Sequence, residues 1–226
     1  ASVAYLEDGT QVPAGQPRFE DGKFGKGVLI EEGTTNLLTN PSFENGTIGW
    51  AIYNYGTFTQ DATQKLFGSY SCKFEASANR PWAGIKQIVN VTAGTTYTLS
   101  AYFKAESGGK FAVEVYAGQL FLSQLIAPTP GVWQRVSLTF TVPSGATLAE
   151  IRVLPNYGLT TPCIVYIDGI QLEQKPYATS FIDGTRAAES LTIPTAGILN
   201  PQEGTVECWV YLDGDILATS PAANHY

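Results

Sequence analysis

The feature that most constrains the fold is a succession of short alternating segments that begins at about residue 36. Turn residues separate the segments, and helical periodicity is nearly absent. Short strands at regular spacing are typical of two packed sheets, so the pattern predicts an all-β sandwich. The predicted strands are SYSCKFEAS (69–77), AGIKQIVNVTAGTTYTLSAYFKAESGG (83–109), KFAVEVYAG (110–118), WQRVSLTFTVPSG (133–145), AEIRVLP (149–155) and CIVYIDGIQLEQ (163–174).

Within these segments, the alternation predicts which side chains face the core. In YTLSAYFKA, Tyr97 and Phe103 fall in the apolar phase and Tyr102 in the polar phase. In EIRVL, Val153 falls in the apolar phase and Arg152 in the polar phase. A polar face that carries tyrosine and arginine has two readings that the pattern leaves open, a sugar-stacking platform or an ordinary amphipathic outer sheet.

Composition excludes several functions. Charged residues make up only 15% of the 226, and the formal net charge is −7. This charge and the lack of any Lys/Arg cluster argue against nucleic-acid binding. No run of 18 apolar residues occurs, so we expect no membrane span. The three cysteines, Cys72, Cys163 and Cys208, show no CxxC spacing and are expected to be apolar thiols in strands.

Catalytic signatures are also lacking. The single histidine is His225, and no GxSxG, P-loop or dinucleotide-binding motif occurs. Two carboxylates in a cleft can hydrolyse a glycoside, but the acids mostly lie in turn sequences such as LEDG, FEDG and LDGD. We therefore predict that this chain is not an enzyme.

Five blocks, in order and at matching spacing, resemble the carbohydrate-binding modules of the family four and nine type. They are NLLTNPSFENGTIGW (36–50), SYSCKFE, QIVNVTAGTTYTLSAYFKA, WQRVSLTFTVP and VYIDGIQLEQ, and together they cover residues 35–176. The resemblance implies a jelly-roll β-sandwich. It also implies a polysaccharide or cell-surface glycan as partner, bound in a groove across one sheet or at the loop tips.

A structural calcium ion is implied by the same resemblance. It is expected where the first and last strands of the module meet, with carboxylates from Glu44 and Asp168 and main-chain carbonyls near Gly68 and Lys73. Calcium takes six to eight oxygen ligands, which a crossing of strands can supply. The alternative is that Glu44 caps a turn and that Asp168 starts one.

The ligand surface is predicted from exposed aromatic side chains and from polar groups suited to sugar hydroxyls. For each of these residues, ordinary packing is the alternative. The candidates are Tyr53, Tyr55, Trp82, Gln87, Tyr102, Tyr116, Arg152 and Tyr157.

The flanks carry a separate resemblance. LIEEGTTNLLTNPSFE and GIQLEQKPYATSFIDGTR resemble junctions in phage tail and virion surface proteins. GKFGKGVLIEEG and AAESLTIPTAGILNPQEGTVECWVYLDGD resemble the opening strands of a laminin G-like lectin sandwich. We therefore predict three parts: residues 1–34 as the first strand of a split lectin-like domain, 35–177 as the binding module, and 178–226 as the start of the truncated domain.

These flanks predict a location outside the cell or on a virion surface, with other domains of a larger virion or secreted protein as partners. Two alternatives remain: a virion spacer without sugar binding, and an accessory module of a secreted glycoside hydrolase.

Overall fold

The computed structural model describes residues 4–13, 15–23, 25–192, 194, 196–197 and 208–211. Within these ranges, all regular structure is β-strand. The strands are β1 (Ala4–Tyr5), β2 (Gln11–Val12), β3 (Arg18–Gly22), β4 (Gly25–Leu29), β5 (Thr34–Thr35), β6 (Ala51–Tyr53), β7 (Thr57–Asp61), β8 (Ser71–Ala76), β9 (Ala83–Asn90), β10 (Thr96–Ser107), β11 (Phe111–Ala117), β12 (Leu120–Ile126), β13 (Gln134–Thr141), β14 (Leu148–Asn156), β15 (Cys163–Glu173) and β16 (Thr185–Arg186).

Two five-stranded antiparallel sheets face each other. Sheet I has the order β13-β10-β15-β8-β7, and sheet II has the order β12-β11-β14-β9-β6. Their facing sides form one hydrophobic core, in which Phe103 of sheet I stacks on Phe111 of sheet II with ring centroids 4.8 Å apart. The predicted all-β jelly-roll sandwich is confirmed, and no described helix could span a membrane.

The alternation that the sequence predicted places the core correctly. Tyr97 and Phe103 lie in the core, as does Val153 of β14, whereas Arg152 points outward. Each predicted strand segment contains a strand or strands of the structure. Strand β12 was not predicted, because its sequence LFLSQLI is mostly apolar, has its two polar residues side by side, and shows no alternation.

The chain enters and leaves the sandwich side by side. Strand β5 pairs antiparallel with β16, and Asn36 then donates its backbone N–H to Gly184 O at 2.8 Å. The buried amide of Asn36 donates to Ile170 O and Ile182 O and accepts the N–H groups of Leu38 and Leu172. These bonds tie the start of NLLTNPSFENG to the end of β15.

Segments from outside the two sheets cover the outer face of sheet I. A second apolar cluster there contains Phe67, Tyr102 and Phe181, with Tyr5 and Trp133 packed against it. The ring of Phe67 lies 4.5 Å from that of Phe181 and 5.1 Å from that of Tyr102. The outer face of sheet I is therefore a second, smaller core.

An ion-pair network joins the two flanking segments. The buried guanidinium of Arg18 contacts Glu31 at 2.6 Å and Glu189 at 2.5 Å, and Arg186 contacts Glu31 at 2.9 Å. The predicted strand GTVECWVYL (204–212) lies largely outside the described residues. The division into three parts, and the lectin-like nature of the flanks, stay predictions.

Candidate functional site

The outer face of sheet II is open, and Arg152 lies at its centre. Strand β14 runs between β9 and β11, so Arg152 stands opposite Lys86 on one side and opposite Glu114 on the other. Its neighbours Ile151 and Val153 are buried in the core. Strand alternation thus forces the guanidinium outward, onto the face away from the core.

Three aromatic rings surround this guanidinium. The Cζ atom of Arg152 lies 4.2 Å from the ring centroid of Tyr53, 5.7 Å from that of Tyr116 and 6.0 Å from that of Phe121. The rings come from β6, β11 and β12, so the group spans the whole sheet. Such cation–π contacts fix both partners in place. We call Tyr53, Tyr116, Phe121 and Arg152 the arginine cluster.

Carboxylates balance the positive charges on this face. Arg152 Nε donates to Glu150 Oε1 at 2.6 Å, and Lys86 Nζ donates to Glu150 Oε2 at 2.8 Å. Glu114 Oε2 accepts a weaker bond of 3.5 Å from Arg152 Nη1. Two cationic and two acidic side chains thus meet at the centre of the face, which carries little net charge.

The two carboxylates differ in their environments. Burial raises the pKa of Glu114, which is 3% exposed, and the charge of Arg152 only partly opposes that rise. Burial acts on Glu150 in the same direction, but hydrogen bonds from Lys86 and Arg152 outweigh it and lower the pKa of Glu150. Glu114 is therefore a poorly solvated acceptor, and an additional donor would stabilise its charge.

The opposite end of this face is apolar and closed. Leu154 and Ala112 share the outward phase with Arg152 and Glu114, yet both are fully buried. A Cβ atom on Gly84 would lie 2.6 Å from Leu154 Cδ2, so Leu154 packs against the bare backbone of β9. The face is thus polar and open around Arg152, and filled around Leu154.

A second aromatic group lies in the loops at this end of the sheet. Trp82 is 47% exposed and has a positive φ of 56°, and its backbone N–H donates to Asn156 O at 3.1 Å. Arg80 lies over the ring of Tyr55 at 4.6 Å, and Lys110 over that of Tyr157 at 5.7 Å. We call Tyr55, Trp82 and Tyr157 the loop aromatics.

One buried amide holds the loops of Trp82 and Tyr157 together. Asn156 Nδ2 donates to Arg80 O, Leu159 O and Thr161 O at 3.1 to 3.4 Å. Its Oδ1 atom is buried and accepts no hydrogen bond in the described structure. The left-handed backbone of Trp82 persists because these contacts fix the loops on both sides of it.

The prediction that Gln87 joins the ligand surface is wrong. In β9, Ile85, Gln87 and Val89 point inward, and Lys86 points outward. The buried amide of Gln87 accepts the N–H of Thr39 at 2.8 Å and donates to Thr39 O and Gly49 O at 3.1 Å. Gln87 therefore holds the loop NPSFENGTIG against the sheet and does not line the open face.

The prediction that Tyr102 joins this surface is also wrong. Strand β10 belongs to sheet I, so Tyr102 lies on the opposite side of the sandwich from Arg152. Its side chain is 4% exposed, because Phe67 covers it and Arg135 lies over its ring at 5.2 Å. Tyr102 is a packing residue of the second apolar cluster.

The structure therefore brings Tyr53, Tyr116 and Arg152 together and places Tyr55, Trp82 and Tyr157 in neighbouring loops. Sequence reasoning missed other members of the open face. The outward phases of AGIKQIV and AEIRVLP contain two of them, so alternation could have found these. Glu114 lies among apolar residues in FAVEVYA, and Phe121 lies in the strand that was not predicted. The missed residues are Lys86, Glu114, Phe121 and Glu150.

The residues predicted to bind calcium lie on the other side of the sandwich. Asp168 is fully buried, and its Oδ2 atom accepts the backbone N–H groups of Leu66 and Phe67 at 2.8 and 2.9 Å. Glu44 Oε1 accepts those of Ser69 and Tyr70 at 2.8 and 3.0 Å. Both carboxylates thus accept backbone hydrogen bonds from the same loop, residues 66–70.

Gly68 lies in the middle of this loop. Its φ is +64°, and a Cβ atom there would lie 2.4 Å from Glu44 Oε1. A side chain at this position would therefore displace the Glu44 carboxylate. Lys73 lies in the next strand, β8, which pairs with β7 on one side and with β15 on the other. Its ammonium group contacts the carboxylate of Glu75 at 3.0 Å.

The chemistry of these donors fits a hard cation in part. Burial, with a contribution from the nearby charge of Glu44, raises the pKa of Asp168 to about 8. Both acids bind the same loop, and a divalent cation between them would relieve their repulsion. Against this, backbone N–H groups already occupy oxygens of both carboxylates. The described residues include no group of three or more His, Cys, Asp or Glu side chains placed to hold a metal ion.

Solved structures with a similar fold include both binding modules and an enzyme. A xylan-binding domain from Paenibacillus barcinonensis matches with a TM-score of 0.50 at 17% identity, over 66% of this chain and 99% of its own. The C-terminal family 22 carbohydrate-binding module of a Clostridium thermocellum protein matches with a TM-score of 0.50 at 19% identity, over 62% and 94%. A Fischerella cyclase solved with an indolyl butanone also matches at 0.50 and 16% identity, over 64% and 99%. These similarities show the fold alone.

Sequence comparison identifies the family. No curated protein sequence matches the chain. The sequence profile described as "Carbohydrate binding domain" matches residues 35–157, which is more than half of the chain. The matched segment includes all five strands of sheet II, β6, β9, β11, β12 and β14, whose outward side chains form its open face. The chain therefore belongs to the carbohydrate binding domain family.

Proposed function

We propose that the open face of sheet II binds a polysaccharide or cell-surface glycan and that the chain does not transform it. The observation that supports this proposal most strongly is the arginine cluster, in which one guanidinium fixes three aromatic rings across a single sheet. Pyranose C–H faces pack on such rings, and fixed rings lose little conformational freedom when a ligand binds.

Polar groups between the rings then orient the sugar. Lys86 and Arg152 supply donors, and Glu114 and Glu150 supply acceptors, so adjacent hydroxyls find partners of both kinds. Each sugar hydroxyl exchanges hydrogen bonds with water for hydrogen bonds with protein, which limits the net gain. We expect dissociation constants of about 10 μM to 1 mM for oligosaccharides.

The loop aromatics extend this proposed groove. Tyr53 pairs with Gly84 in the sheet, two residues from Trp82, so the arginine cluster and the loop aromatics adjoin each other. A chain of several sugar units would contact the arginine cluster first and reach Trp82 and Tyr157 at one end.

One observation favours a second function, that of a structural spacer with an inactive sugar face. The polar groups around Arg152 already pair with one another, and a ligand would have to replace part of that pairing. A spacer would show the same pairing and would bind no polysaccharide.

Affinity electrophoresis against a panel of plant and cell-wall polysaccharides separates these functions. We expect at least one polysaccharide to retard the chain. Arg152→Ala should abolish the retardation, whereas Tyr102→Phe, on the covered face, should leave it unchanged. If no polysaccharide retards the chain and no glycan on an array binds it, the structural spacer is favoured. Retardation that survives Arg152→Ala would remove the site from sheet II.

For the biological context, we propose a module of a phage tail or virion surface protein that acts outside the cell. The resemblance of the flanking sequences to phage junctions supports this context. An accessory module of a secreted glycoside hydrolase is the alternative. Neighbouring capsid or tail genes would favour the virion, and a neighbouring catalytic domain would favour the hydrolase.

A structural calcium ion at Glu44 and Asp168 is a separate proposal, which the binding of both carboxylates to one loop supports. Calcium would be held by Glu44 Oε2 and by Asp168, whose two oxygens would have to share it with the backbone N–H groups of Leu66, Phe67 and Gly169. Because a metal bound only by the native state stabilises it, calcium should raise the melting temperature and a chelator should lower it. Glu44→Gln should remove this response. A melting temperature that neither calcium nor the chelator changes would refute the proposal.

A further inference from the structure

Strand β12 is an unusual sheet edge. It is the outermost strand of sheet II and pairs only with β11, so one side of its backbone is unpaired in the described structure. Its seven residues, LFLSQLI, include no charge, proline or glycine. Proteins normally blunt exposed edges with charges, prolines, bulges or short strands, and uncharged segments of this composition readily pair with other strands.

The other edges of the two sheets are protected. Strand β6 has only three residues, β7 ends in Asp61, and β13 contains Arg135. Segment 174–177 also reaches β13, where Thr139 Oγ1 donates to Pro176 O at 3.3 Å. Strand β12 therefore combines length, exposure and lack of charge in a way that the other three edges do not.

We propose that β12 pairs with β12 of a second copy of this chain. The sequence is self-complementary in an antiparallel register centred on Ser123. That register places Ser123 opposite its own copy, Phe121 opposite Leu125, and Leu120 opposite Ile126. Leu122 then faces Gln124, the other two pairs are apolar against apolar, and no like charges face each other across the two-fold axis.

The exposed side chains of β12 support a second copy of the chain as its pairing partner. Phe121 is 51% exposed, and pairing with Leu125 of a second copy would cover the side of its ring that faces the partner strand. The chain has a net charge of −7, but β12 has no charged side chain that would attract a charged partner. A single pair of seven-residue strands buries less than the roughly 1,200 Å² of stable interfaces, so we expect a weak dimer, in the range of about 10 to 100 μM.

The dimer would have a functional consequence, which rests on the proposed sugar binding. A two-fold axis perpendicular to the sheet keeps both outer faces on the same side. The two Arg152 side chains would be five strand spacings apart, about 24 Å. Both faces could then engage one long polysaccharide, which would raise avidity for the polymer over short oligosaccharides.

Sedimentation velocity at protein concentrations up to a few hundred micromolar tests the dimer without any sugar. We expect the chain to dimerise and Ser123→Lys, which opposes two lysines at the axis, to weaken the dimer at least about 10-fold. Ser137→Lys on edge strand β13 is the matched control and should have no effect. Thermal melting of both variants checks that each is folded.

Cross-linking provides a second, independent readout. In a Cys208→Ser background, Ser123→Cys should form a disulfide-linked dimer under mild oxidation, because residues opposite each other at a two-fold axis lie within disulfide range. Ser137→Cys should stay monomeric. A chain that is monomeric at every concentration, a dimer that Ser123→Lys does not weaken, or equal cross-linking at both positions would overturn the proposal, whether or not the chain binds sugar.

Discussion

The outer faces of the two sheets arise from the same strand alternation, but the face of sheet I is covered and the face of sheet II is open. On sheet I, Tyr102 and Arg135 stack on each other beneath Phe67 and Phe181. On sheet II, Arg152 also stacks on tyrosines, but the neighbouring rings of Tyr116 and Phe121 stay about half exposed to solvent. The two faces thus contain the same residue types, and segments from outside the sheets decide which one is a core and which one is a surface.

Stability should show the largest contrast between the faces. Phe67 is 1% exposed and contacts three other rings, so Phe67→Ala should lower the free energy of unfolding by about 3 to 5 kcal/mol. Phe121→Ala, on the open face, should lower it by less than about 1 kcal/mol. Urea unfolding at low protein concentration measures both values. Equal losses would mean that the two faces do not differ as described.

The two arginines allow a matched test of binding. Arg152→Lys keeps the charge but loses the planar group that stacks on Tyr53, so we expect affinity for the polysaccharide to fall about 10-fold. Arg135→Lys should leave affinity unchanged and should instead lower stability, because Arg135 Nη2 donates to Ser100 Oγ and to Thr179 O. Affinity electrophoresis and melting of both variants measure this pair. Loss of affinity in Arg135→Lys alone would reverse the assignment of the faces.

The loop aromatics should contribute less than the arginine cluster. Trp82→Ala should weaken binding of a polysaccharide about 3- to 5-fold and should have little effect on a disaccharide, because only a longer chain reaches the loops. Isothermal titration with sugars of increasing length measures this difference. If Trp82→Ala and Tyr55→Ala leave every affinity unchanged, the groove ends at Tyr53.

The smallest expected effect is a pH dependence at Glu114. Because its pKa is raised above the ordinary 4.5, the folded state holds this proton more tightly than the unfolded chain does. The contribution of Glu114 to stability therefore falls as pH rises from 4.5 through the folded-state pKa, and Glu114→Gln should remove that fall. Urea unfolding over this range checks it. If the free energy of unfolding of Glu114→Gln changes with pH as steeply as that of the parent chain, the environment described for Glu114 is contradicted.

How far the sequence predicts this molecule depends on the property in question. Alternation predicts which side chains face the core, and it correctly places Val153 inside and Arg152 outside. It cannot say which sheet a strand joins or what covers it, and for that reason Tyr102 was assigned to the wrong surface. In AGIKQIVN, Gln87 shares the phase of Ile85 and Val89, so alternation could have placed it inside and Lys86 outside, although the polarity of Gln87 favours the outer face.

Strand β12 marks another limit of prediction from sequence. A mostly apolar segment without alternation is usually interpreted as buried or left unassigned, yet LFLSQLI forms an exposed edge. As a result, the sequence did not place Phe121 in the arginine cluster. The long-range contacts that set the site, such as Arg152 with Tyr53 from β6, arise from strand order, which local sequence patterns do not encode.

The most direct test of the central claim is an NMR titration of the chain with a polysaccharide fragment that retards it in gels. The ligand should shift amide signals of β6, β9, β11 and β14, centred on Arg152, while signals around Tyr102 and Phe181 stay unchanged. Shifts concentrated on β10, β13 and residues 174–183 would contradict the account, because they would place the ligand on the covered face of sheet I.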